Sequence, residues 1–120
     1  MLGRICIFCG GLFGAGALAM AAVAAHGLAG LPPPSLAAVR SAIDMQGWHA
    51  LALIAIGGWL PRGGIPARLA ACGFAVGMLL FCGAVYGHEI FELPVAPLAP
   101  IGATTLILSW LLLTASAFRR

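Results

Sequence analysis

Three stretches of this chain run without a charge for about as long as a helix needs to cross a bilayer: Ile5 to Ala25 (21 residues), Leu69 to Gly87 (19 residues) and Leu98 to Phe118 (21 residues). At 1.5 Å per residue, about 20 residues cover the ~30 Å of hydrocarbon. A fourth run, Met45 to Leu60, is shorter and opens with Gln46 and His49, so it spans only if its helix begins upstream, near Ser35, with polar first turns at the interface. The expected fold is all-α: an integral membrane four-helix bundle, up-down-up-down, in one domain covering 1–120, with spans at about 5–26, 36–60, 67–87 and 98–118. Composition agrees, since 62% hydrophobic and 8% charged residues leave too few charges to coat a water-soluble surface.

The arginines test the division. All six bases are Arg. Four crossings put Arg4, Arg62, Arg68, Arg119 and Arg120 on one side, and Arg40, Asp44, Glu89 and Glu92 on the other. Positive charge gathers on the cytoplasmic side, so both termini are expected in the cytoplasm of a cell whose inner membrane holds the chain. A net charge of +3 spread this way is no nucleic-acid patch. A cleaved signal peptide competes for the first run, because AAVAAHG imitates a cleavage site, but the run is long for a signal peptide.

Loops carry the punctuation. Three prolines in LAGLPPPS stop the first helix, and Ser35 is placed to cap the next. LPRGGIP, Leu60 to Pro66, is a tight turn that makes the flanking helices antiparallel neighbours, and the prolines after His88 argue against regular helix until about Leu98. Gly10 with Gly14, and Gly73 with Gly77, are four apart and suit close helix packing in lipid.

Polar residues collect at one end of this arrangement: His26, then Asp44, Gln46 and His49, then His88, Glu89 and Glu92. Gln46 and His49, three apart, share a helix face, while Arg40 and Asp44, four apart, suit an ion pair on another. His49 is expected to point inward, as a hydrogen-bonded imidazole. The histidines and Glu92 come from three helices without a compact ligand motif, so no metal is expected, nor a haem on His26 and His49. Cys6 and Cys9, although C-x-x-C, lie at helical spacing within an apolar span and read as filler, as do Cys72 and Cys82. Tyr86, Trp48 and Trp59 lie near expected helix ends and read as interfacial anchors; Trp110, in mid-span, needs a partner for its N–H.

Four motifs in order resemble a known family. AAVAAHG (Ala21 to Gly27) is similar to GAFGAH, DMQGWHALAL (Asp44 to Leu53) to an acid-x-Gln-x-x-His-x-Leu-x element, FCGAVY (Phe81 to Tyr86) to FSGSLY, and APIGATTLILSWLLL (Ala99 to Leu113) to TPxGGxxxxxGWxLL. These are elements of the YgdD-like family of small inner-membrane proteins. The resemblance implies a four-helix membrane protein without an established activity, with the family's polar signature on His26, Asp44, Gln46, His49, Tyr86, Pro100, Gly102 and Trp110. The chain departs at Cys82 and Ala84, where the family has Ser, at Ala103, where it has Gly, and at Asp44, where Glu is common.

The functional expectation is a structural or accessory component of a membrane assembly, as a homo-oligomer or with other membrane subunits, without a cofactor. No complete catalytic set is present, so an enzyme is not expected. The rival reading is transport or sensing of protons or small solutes through His49, since an imidazole changes charge near neutral pH.

Overall fold

The computed structural model describes residues 1–119 and consists of three helices: α1 (Leu2–His26), α2 (Pro33–Phe91) and α3 (Leu98–Ser116). Arg120 lies outside the described residues. All three helices are long and apolar enough to cross a membrane.

The expected count of four is corrected to three, because the second and third runs form one element. Drawn straight, the 59 residues of α2 would reach about 88 Å, yet the molecule is 52 Å along its longest axis. The helix therefore folds back on itself. Its reversal is at Gly64, whose φ of 61° and ψ of −149° are the only non-helical values inside α2. Contacts between residues 40 apart pair the two arms antiparallel: Cys82 Sγ–H donates to the Ala42 carbonyl at 3.5 Å, and Tyr86 Oη–H to Gln46 Oε1 at 2.8 Å. LPRGGIP makes a turn so tight that helical bonding resumes at once, and Pro61 and Pro66 bracket the break because neither can supply an interior helix N–H.

The start of α2 also differs from expectation. Ser35 does not cap it; the helix opens at Pro33, with Pro32 in the cap position and Ser35 inside the first turn. Proline suits this place because its fixed φ is already helical and its missing N–H would have been an orphan there. At the other end Glu92 adopts a left-handed conformation (φ 54°), and its N–H and that of Leu93 bond back to His88 and Gly87 at 3.1 and 3.0 Å. That cap stops α2 ahead of the proline-rich link.

Helices α1 and α3 pack on α2 and not on each other. The hairpin is the centre, and α1 and α3 are its flanks. The core lies along it: Leu53, Ile56, Phe74 and Met78 are buried almost completely, with Cys6 from α1 and Leu106 from α3 closing the sides. Only 17% of the most apolar window of α1, and the same share of that of α3, is buried. Their outward faces, with Phe8, Leu12, Leu18, Ile107 and Leu111, are exposed.

Backbones meet where side chains vanish. A Cβ on Gly3 would stand 2.6 Å from the Gly57 carbonyl oxygen, and one on Gly57 2.9 Å from that of Gly3. On the other flank a Cβ on Gly102 would stand 2.9 Å from both the Gly77 oxygen and Phe81 Cα. Gly10 is equally tight, 2.8 Å from the Ala50 oxygen, whereas its expected companion Gly14 meets only Ala50 Cβ at 3.9 Å.

Candidate functional site

Inside hydrocarbon a polar group has no water to bond, so each must find a protein partner or cost several kcal/mol (about 4–8 without any hydrogen bond). His49 and Gln46, both on the first arm of α2 and buried at 3% and 7% exposure, are the two largest polar side chains held inside. Their surroundings decide what they can do.

His49 is bonded at both nitrogens. Nδ1 lies 2.6 Å from the Met45 carbonyl one turn earlier, and Trp110 Nε1 lies 3.0 Å from Nε2. A carbonyl oxygen only accepts and an indole N–H only donates, so the imidazole carries its proton on Nδ1 and presents a bare Nε2 to the indole. The ring is fixed from the sides as well, by Phe74 of the second arm (centroids 5.7 Å apart) and by Trp110 (5.9 Å); Phe74 and Trp110 meet edge to face at 5.0 Å. This cluster ties both arms of α2 to α3.

Gln46 ties the opposite flank. Its Nε2–H donates to the Phe13 carbonyl of α1 at 2.8 Å, while its Oε1 accepts from Tyr86 of the second arm at 2.8 Å. Gly16 makes room, since a Cβ there would lie 3.0 Å from Gln46 Nε2. Thus the two residues share one side of the first arm but reach in different directions, Gln46 to α1 and His49 to α3. Lower in the molecule Trp59 Nε1–H donates to Ser116 Oγ at 2.9 Å, and that hydroxyl donates to the Leu113 carbonyl at 2.6 Å. Among the described residues no buried side-chain nitrogen or oxygen lacks a partner.

The rest of the polar cluster does not join this network. His26 is exposed at the end of α1. Arg40 and Asp44 are exposed on α2, where they line a shallow groove of about 280 Å³ against Ala21, Ala24 and Ala25. His88 is exposed, with Nδ1 3.3 Å from the Leu93 carbonyl, and Glu92 is exposed in the cap. His26, His49 and His88 thus do not converge, and no group of three or more His, Cys, Asp or Glu among the described residues is placed to hold a metal ion. Cys6 and Cys82 are buried, Cys9 is half-buried and Cys72 exposed; all four are free.

Several partners were invisible in the sequence. The need of Trp110 for an acceptor could be read there; that the acceptor is His49, 61 residues away, could not. The Phe13 carbonyl, Phe74 and Ser116 gave no local signal, because each matters through a neighbour on another element.

An all-helical chain with three apolar helices and an internally bonded polar interior defines a multi-pass membrane protein. The comparisons agree. The family described as "Protein of unknown function (DUF423)" matches residues 20–103. A "UPF0382 membrane protein" of Haemophilus influenzae is 31% identical over 105 residues, which cover 85% of this chain and 84% of that one. The chain belongs to the DUF423 family. No solved structure matches it.

Proposed function

We propose that this protein is a structural or accessory subunit of a bacterial inner-membrane assembly, crossing the bilayer four times with both termini in the cytoplasm and with no catalytic activity of its own. Within DUF423 it belongs with the YgdD-like proteins, a grouping that rests on the four motifs described above. The observation that carries the reading is the saturation of the polar interior: Gln46, His49, Tyr86, Trp59, Trp110 and Ser116 are all engaged with one another or with backbone. Such a set fixes helices relative to each other, and each of its polar atoms already has a protein partner. Proton or solute transport through His49 would need a free ring nitrogen on a polar path, and the indole of Trp110 occupies Nε2.

The unburied faces of α1 and α3 supply the surfaces for assembly, with large apolar side chains along both. Purification from membranes in a mild detergent, followed by mass determination of the protein–detergent complex, tests the reading. The expected result is a homo-oligomer or a stoichiometric membrane partner. A monodisperse monomer with nothing co-purifying would sink it.

A further inference from the structure

A cleft of about 620 Å³ lies far from the His49 network, at the end where α1 begins and α2 turns back. Leu2, Gly3, Arg4, Leu60, Pro61 and Arg68 line it. Arg4 comes from α1 and Arg68 from the second arm of α2, so two arginines from different elements line one opening, along with Leu2 and Leu60. Among the described residues no acidic side chain lines it: Asp44, Glu89 and Glu92, the three acidic side chains, lie elsewhere, Asp44 in the groove beside Ala21 and Ala24 and the two glutamates at the far end of α2. Gly3 and Gly57, which also line it, meet backbone to backbone, so that a Cβ on either would press the two helices apart.

We propose that this cleft binds an anionic phospholipid, the phosphate between Arg4 and Arg68 and the start of an acyl chain against Leu2 and Leu60. Three features select that occupant. The cleft is open at the edge of apolar helices, within reach of a lipid from the surrounding leaflet. Among the described residues the charged side chains that line it, Arg4 and Arg68, are both basic, and guanidinium forks match phosphate oxygens in pairs. Its lining combines charge with hydrocarbon, as a molecule with a phosphate and a fatty chain requires and free phosphate does not. The site is independent of the accessory reading and stands even if the chain proves monomeric.

The test uses the full-length protein in detergent, with bound lipid counted by native mass spectrometry after addition of dioleoyl phosphatidylglycerol or dioleoyl phosphatidylcholine. Phosphatidylglycerol should be retained in preference, on the order of ten-fold or more for two basic groups at a membrane surface. R4Q/R68Q should abolish the preference, whereas R40Q, at the other end of the molecule, should keep it; helicity and elution volume confirm that each variant is folded. Should R4Q/R68Q fail to fold, the single variants R4Q and R68Q and the charge-keeping R4K/R68K serve instead, each expected to weaken retention. Equal retention of both lipids, a preference unchanged in the Arg4 and Arg68 variants, or displacement of the lipid by millimolar inorganic phosphate would overturn the proposal, the last by revealing a site for soluble anions.

Discussion

At the scale of single residues, His49 and Trp110 form a bond that neither can replace. His49→Ala removes the only acceptor at the indole N–H and opens a void beside Phe74, so a loss of about 2–4 kcal/mol is expected. Trp110→Phe keeps much of the ring but not the donor. If the two act as a pair, H49A/W110F loses less than the sum of the single changes, by roughly 0.5–2 kcal/mol, in line with polar contacts between membrane helices. Thermal unfolding of the four proteins in one detergent reads this directly, and strict additivity would mean that the contact carries no energy. The sequence went far at this scale: the spacing of Gln46 and His49, and the plight of a mid-span Trp, are plain in one dimension. It stopped at the partners, because Phe13, Phe74, Tyr86 and Trp110 stand 33, 25, 40 and 61 residues from the residues they serve.

At the scale of elements, glycine decides how closely the flanks approach. Gly102→Ala places a methyl against the backbone of Gly77 and Phe81, which cannot yield as a side-chain tip would, so α3 must back away at a cost of about 1–3 kcal/mol. Gly83→Ala is the control: nothing lies within 4 Å of the new Cβ, and a better helix former there should leave stability unchanged or raise it by up to about 1 kcal/mol. Melting temperatures of the two variants should separate; equal shifts would argue against close packing at Gly102. Gly64→Ala attacks the hairpin instead. The φ and ψ of Gly64 belong to a region used almost only by glycine, and forcing a Cβ into it should cost about 1–3 kcal/mol, visible as a lower unfolding midpoint than that of Gly58→Ala, whose site is open. The sequence pointed to the turn through LPRGGIP but read it as separating two helices. Local composition marks where a helix must break, whereas whether bonding resumes on the next residue depends on how the two arms then pack.

At the scale of the whole molecule, α1 and α3 stand on opposite sides of the α2 hairpin, and the arginines Arg4, Arg62, Arg68 and Arg119 fall at its turn end: Arg4 and Arg68 share a cleft there, and Arg119 lies against Gly64. The proposed orientation predicts which end faces out. In a chain with its native cysteines replaced, Gly30→Cys in the link before α2 should react with a membrane-impermeant maleimide in intact cells, while Arg62→Cys should react only after permeabilisation. The opposite pattern would invert the topology. What the sequence determined by itself was the class: three charge-free runs of membrane length, an excess of hydrocarbon over charge, and the polar residues that such an interior must satisfy. These follow from transfer of each segment between water and lipid, a property of composition and spacing alone. Only the tertiary structure decided that two expected helices are one folded element, that α1 and α3 never meet, and that His49 is closed by Trp110. Those outcomes rest on contacts between distant segments, set by backbone approach at Gly57, Gly77 and Gly102 and by hydrogen-bond geometry, and a linear pattern does not encode which distant partner a given side chain will meet.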